Sequence, residues 1–188
     1  MGKQRKKIIV AGPLVYESIY PLPSPRDSRA ARQGKKKLTS DAQQRMNQKH
    51  QWQKCELLMA CNFRPGDIVL TLTFDDAHLP DSRAGVMRCV REFFKRLRAR
   101  RNPLGRTLKY IYVVEHSHSR DDPTMMPVEL AQQGRYHVHM ILNATGDDAD
   151  DIYHCWDMGL LEWHPFELSH DRTFESLARY LCKELPDY

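Results

Sequence analysis

Residues 134–143 read GRYHVHMILN, a strand-like run that carries two imidazoles, His137 and His139, one residue apart. Side chains alternate across a strand, so the two rings share one face while Tyr136, Val138 and Met140 share the other. Apolar packing gives no reason for such a pair. Two imidazoles, one carboxylate and open positions left over suit a divalent cation in a catalytic setting. Glu115 closes the apolar run KYIYVVE and is the acid that strand pairing would bring near; Asp75 and Asp76, after TLTF, are the alternative acids. A second constellation is LARYLCKE, where Tyr180 and Lys183 stand three apart on one helical face. Such a phenol, with a cation one turn away, can act as a nucleophile. Each feature also has a plain reading: a half-exposed strand tolerates two histidines, and a helix can bury a tyrosine and solvate a lysine. His116 and His118 fall in a loop-like stretch, and His154, His164 and His170 show no partner pattern.

These residues need a scaffold, and the hydrophobic periods supply one. DIVLTLTF (67–74) alternates as a half-buried strand, with Thr71 and Thr73 opposite a leucine face. DSRAGVMRCVREFFKRLRARR (81–101) opens with a cap candidate and sets Val86, Val90, Phe93, Phe94 and Leu97 on one helical stripe. Residues 107–116 and 134–143 read as strands, and 147–158 as a helix whose first-turn acids suit the helix dipole. LLEWHPFEL reads as a strand and 172–185 as a helix. The first six elements give the βαββαβ order of a ferredoxin-like or RRM-like α+β fold, an antiparallel sheet with helices on one face. The last helix carries Tyr180. Before this block, a helix is expected from Ser40, a candidate cap, to about Cys61, ended by the Pro65-Gly66 turn. Residues 1–38 read as a basic, largely flexible arm with a short strand in IIVAGPLVY, and 39–188 as the functional domain.

Charge is unevenly spread over the 188 residues. Residues 1–37 hold ten Lys and Arg against two acids, a net +8, so with a total of +5 the remainder carries −3. The arm's clusters at 3–7 and 35–37, with Arg88, Arg91, Lys95, Arg96 and Arg98, suit a polyanion, because phosphate contacts supply most non-specific nucleic-acid affinity. No apolar run is long enough for a bilayer span, and the N-terminus lacks a signal-peptide core, so no membrane partner and a cytoplasmic location are expected. Five cysteines without CxxC spacing fit reduced thiols.

Taken together, TLTF at the end of the opening strand, His137-Val138-His139 and Tyr180-Leu181-Cys182-Lys183 resemble, in order, the three motifs of the HUH endonucleases of the rolling-circle replication initiator class, single-tyrosine type. The likeness to phage and plasmid initiators runs from about residue 40 to 185 and includes FFKRLR. It implies a metal-dependent, site-specific nickase and strand transferase acting on single-stranded DNA at a replication origin. Under it, Tyr180 is the nucleophile and forms a 5′-phosphotyrosine, Lys183 assists, and His137, His139 and Glu115 hold Mg²⁺ or Mn²⁺. Thr71, Thr73 and the basic residues of 88–98 are then DNA contacts. No phosphate-binding GxxxxGK[ST] loop is present, so a host helicase and polymerase are the implied partners, with a bacterial cytoplasm as the setting. A single-tyrosine transposase or relaxase of the same superfamily, or a non-catalytic RRM-like binding module, are the competing readings. The Thr and His residues where an RRM would show aromatics count against the last.

Overall fold

A computed structural model describes residues 3–22, 41–117, 134–169 and 172–182. The chain divides into two compact units, one formed by Met1–Asn62 with Ser169–Tyr188 and the other by Phe63–Leu168. The boundary expected near residue 38 and the Ser40 cap fall outside the described residues.

In the first unit, strands β1 (Gln4–Ala11) and β2 (Leu14–Pro21) form an antiparallel hairpin closed at Gly12-Pro13. The strand expected in IIVAGPLVY is thus two strands and a turn. Gly12 turns with φ +53°, and a Cβ there would stand 2.2 Å from the Ala60 carbonyl oxygen, so only glycine fits. Helix α1 (Asp41–Asn62) follows, close to its expected span, and packs with the last helix. Buried Glu56 ties the unit together, because it accepts from the Tyr16 phenol and, at 3.1 Å, from the Phe174 amide. Burial and the adjacent carboxylate push the Tyr16 phenol above its usual range.

The second unit carries the expected βαββαβ order: β3 (Ile68–Thr73), α2 (Arg83–Arg101), β4 (Tyr110–Ser117), β5 (Arg135–Leu142), α3 (Asp148–Cys155) and β6 (Leu161–Pro165). Its sheet runs β4-β5-β3-β6, every pairing antiparallel, which is the ferredoxin-like arrangement. Ser82 caps α2, its hydroxyl accepting from the Gly85 amide at 3.3 Å. The helix lays Val86, Val90, Phe93, Phe94 and Leu97 against Leu70, Leu72, Val114, Val138 and Met140, with Ile152 and Trp156 from the α3 side completing the core. Both helices therefore cover one face of the sheet. Strand alternation sends His137, His139, Thr71, Thr73 and Glu115 to the other.

A buried ion pair fixes the far end of α2. Arg101, fully buried, donates to Asp148 at 2.6 Å and to Asn143. Burial alone would raise the Asp148 carboxyl, but hydrogen bonds from Thr145 and Gly146 and the Arg101 charge outweigh it and hold it below its ordinary range. Among the described residues, no helix is long and apolar enough to cross a membrane.

Candidate functional site

Register decides which side chains meet on the face turned away from α2 and α3. Across β4, β5 and β3, Glu115 pairs with His137 and His137 with Thr73. The next row is Val113, His139, Thr71 and, on the edge strand β6, Glu162. A carboxylate one row away can reach an imidazole diagonally, and it does: Glu115 Oε2 lies 2.9 Å from His139 Nε2. Thr71 Oγ1 holds the opposite ring nitrogen, Nδ1, at 3.1 Å. The imidazole is therefore gripped at both nitrogens. Side-chain exposures of 12% for His139 and 14% for Glu115 mark the pair as sheltered yet reachable.

The expected metal ligands can be tested against this geometry. Two donors about 2.1 Å from one cation and at right angles stand about 3 Å apart, which is the separation of His139 Nε2 and Glu115 Oε2. A histidine ligand normally has its second nitrogen fixed by a neighbour, the part Thr71 plays. Two of the three expected ligands, His139 and Glu115, are thus side by side, and register puts His137 in the row of Glu115. Among the described residues, however, no three His, Cys, Asp or Glu side chains converge as a ready-made cation cage; Glu115 and His139 are already in contact.

The threonines expected to touch DNA are engaged within the protein. Thr73 exchanges hydrogen bonds with Leu160 through its hydroxyl, which donates to the Leu160 carbonyl at 3.3 Å and accepts from the Leu160 amide at 3.2 Å. Of the expected DNA-binding cations, Arg88, Arg91, Lys95 and Arg98 are exposed on α2, and Arg98 donates to the Tyr110 phenol at 3.0 Å. Arg96 donates to Asp157 at 3.0 Å and lies near Glu92. Because α2 packs on the covered face, this row of cations lies on the side of the sheet opposite the histidines. Tyr180 lies in the other unit, on α4 (Glu175–Cys182), and is 41% exposed. On the same helix Arg179 pairs with Glu175 at 2.6 Å and stacks 4.4 Å from the Trp52 ring centre. Lys183 falls outside the described residues.

Two features of this face escaped the sequence. Arg135, at the start of β5, donates to Asp76 and to the Phe74 carbonyl, so one of the alternative acids is engaged in an ion pair. A cavity of about 1190 Å³ opens between the ends of β3 and β5 and the stretch after α3, with His137 in its wall. Trp156 holds one side, its indole N–H donating to the Thr73 carbonyl at 3.2 Å. The signal for both was the DD pair after TLTF, which alone did not say what the acids would meet.

Residues 67–187, nearly two thirds of the chain and all of the second unit's sheet, match the family model described as replication-associated protein ORF2/G2P. The chain belongs to that family. No curated protein and no solved structure matches it. For this ORF2/G2P member, membership fixes a role in DNA replication, and the matched span takes in His137, His139, Glu115 and Tyr180 alike.

Proposed function

We propose that this replication-associated protein is an initiator nuclease that nicks and rejoins single-stranded DNA through Tyr180, using Mg²⁺ or Mn²⁺ held by His137, His139 and Glu115. The observation that carries the reading is the Glu115–His139–Thr71 contact on a sheet face left free of α2 and α3 in a replication family. A bound cation would supply positive charge to a non-bridging oxygen of the scissile phosphate. The chain's own groups do the rest. His139, fixed by Thr71, and Glu115 present their donors from rigid neighbouring strands, which sets the phosphate's place on the sheet. Tyr180 Oη attacks phosphorus: the Oη–P bond forms, the P–O3′ bond breaks, the phenol loses its proton and the departing 3′ oxygen gains one. The 3′-OH then serves as primer for a host polymerase behind a host helicase. Attack by a 3′-OH on the phosphotyrosine reverses the balance and rejoins the strand without ATP. Lys183, three residues on, is assigned to the phenolate or the phosphate.

The α2 cations Arg88, Arg91, Lys95, Arg96 and Arg98 are assigned to DNA backbone that wraps beyond the nicked segment, as their side of the sheet requires. The test is a denaturing protein gel after incubation with single-stranded oligonucleotides spanning the replicon of the coding gene, with Mn²⁺ or with EDTA. A slower-migrating adduct with Mn²⁺ that is absent with EDTA and in Tyr180→Phe is expected, with DNA binding retained in the variant. Nicking by Tyr180→Phe would overturn the assignment of the nucleophile.

A further inference from the structure

The cavity beside His137 has walls of unusual chemistry. Its volume of about 1190 Å³ exceeds the usual range of small-ligand clefts, about 300–1,000 Å³. Asp75, Asp76, Asp157, Arg135 and Tyr153 line it with His137. Each carboxylate is already engaged: Asp75 accepts from His78 and the Ala77 amide, Asp76 holds Arg135 and Asp157 holds Arg96. Their side chains nevertheless stay 49%, 78% and 64% exposed, and a carboxylate accepts along about four lone-pair directions, so acceptor capacity faces the cavity. Three carboxylates against two arginines, Arg135 in the wall and Arg96 on Asp157, leave the wall net negative, which disfavours a phosphate and favours a hydrogen-bond donor. At the rim, Tyr153 is 75% exposed, a large ring held at a cavity mouth with little of its surface packed. An aromatic ring beside acceptors matches a base: its face stacks and its amino group donates.

We propose that this cavity takes one nucleobase of the DNA strand lying across the sheet, stacked on Tyr153, and selects a base with an exocyclic amino group through Asp75, Asp76 and Asp157. Among pyrimidines that base is cytosine, whose N4 amino group is the natural donor to an aspartate. His137 belongs to both the cavity wall and the candidate cation site, so the selected base adjoins the scissile phosphate. The proposal rests on the reading of the chain as a single-stranded DNA nickase and names a specificity subsite for it.

The experiment measures fluorescence anisotropy of the full chain with labelled oligo-dC and oligo-dU of about 12 nucleotides, a length within the site sizes of single-strand binders. EDTA keeps nicking out of the reading. Oligo-dC is expected to bind about tenfold more tightly than oligo-dU. Tyr153→Ala, at an exposed position, should weaken binding of both by about fivefold or more. The double variant Asp76→Asn with Asp157→Asn should bring the C-to-U ratio towards one. Equal affinity for the two oligonucleotides, or indifference to Tyr153→Ala, overturns the subsite while leaving a Tyr180 adduct with replicon DNA intact. Failure of the chain to bind or join any single-stranded DNA removes the parent reading and the subsite together.

Discussion

Glu115 and His139 stand on neighbouring strands, one row out of register, and their side chains meet at 2.9 Å across that diagonal. The contact works because Thr71 takes the other side of the ring. Orientation of the imidazole is therefore shared by three strands of one sheet, which fixes the ring in place.

Thr71→Val keeps the shape and removes the grip on His139 Nδ1. The expected result is a 10–100-fold rise in the Mn²⁺ concentration needed for half-maximal adduct formation, as for other neighbours that orient a ligand. DNA affinity in EDTA should stay unchanged. Titration of adduct yield against Mn²⁺ for wild type and variant provides the comparison; an unchanged midpoint would deny Thr71 its positioning role.

The α2 cations act at a distance from the histidines, so their loss should weaken binding without altering chemistry. Replacing Arg88, Arg91 and Lys95 together by Gln is expected to lower the slope of log K against log salt by about 2, at about 0.7 per phosphate contact on a single strand. Adduct yield at saturating DNA should hold. Anisotropy titrations at several salt concentrations read the slope directly.

Asp148→Asn would leave Arg101 charged and fully buried without its counter-ion. A loss of about 3–5 kcal/mol is expected from urea melts. The sign with pH follows from the lowered carboxyl of the folded protein. Its contribution is complete above the unfolded carboxylate value, about 3.9, and is lost as pH falls through the lower folded value. Wild type should thus lose this stability in acid, and the gap to Asp148→Asn should narrow there.

Gly159 has φ +150°, and a Cβ on it would meet the Thr73 carbonyl oxygen at 2.4 Å. Gly159→Ala is expected to cost about 1–3 kcal/mol through backbone strain. Hydrogen exchange should locate the damage: the amides of Thr73 and Asp75, bonded to Leu160 and Met158 carbonyls, should exchange faster than those of the β4–β5 ladder.

Local periodicity was enough to write down the second unit's parts. A two-residue period in YHVHMIL and TLTF assigned His137, His139, Thr71 and Thr73 to one face, because no other alternation buries Val138, Met140 and Leu72. The helical stripe of Val86, Val90, Phe93, Phe94 and Leu97 then had one sheet face to cover, and the element order did the rest. What local pattern lacks is register. β4 and β5 are joined by a long connection rather than a two-residue turn, so nothing in the chain fixes Glu115 opposite His137; only the packed sheet does. The resemblance makes Thr71 and Thr73 DNA contacts; that their hydroxyls also meet His139 and the Leu160 backbone is invisible in one dimension, because those partners lie 68 and 87 positions away. Arg101 reads as one more basic residue of the helix end until Asp148, 47 positions away, buries with it. The N-terminal hairpin was half legible for a related reason: Gly12-Pro13 interrupts a β-branched run, and the close approach of Ala60 that demands glycine comes from another element. Sequence alone determined which residues share a face, since alternation is a property of the strand itself. Which of them touch was decided by tertiary structure, since contact across strands depends on registers set by the whole core.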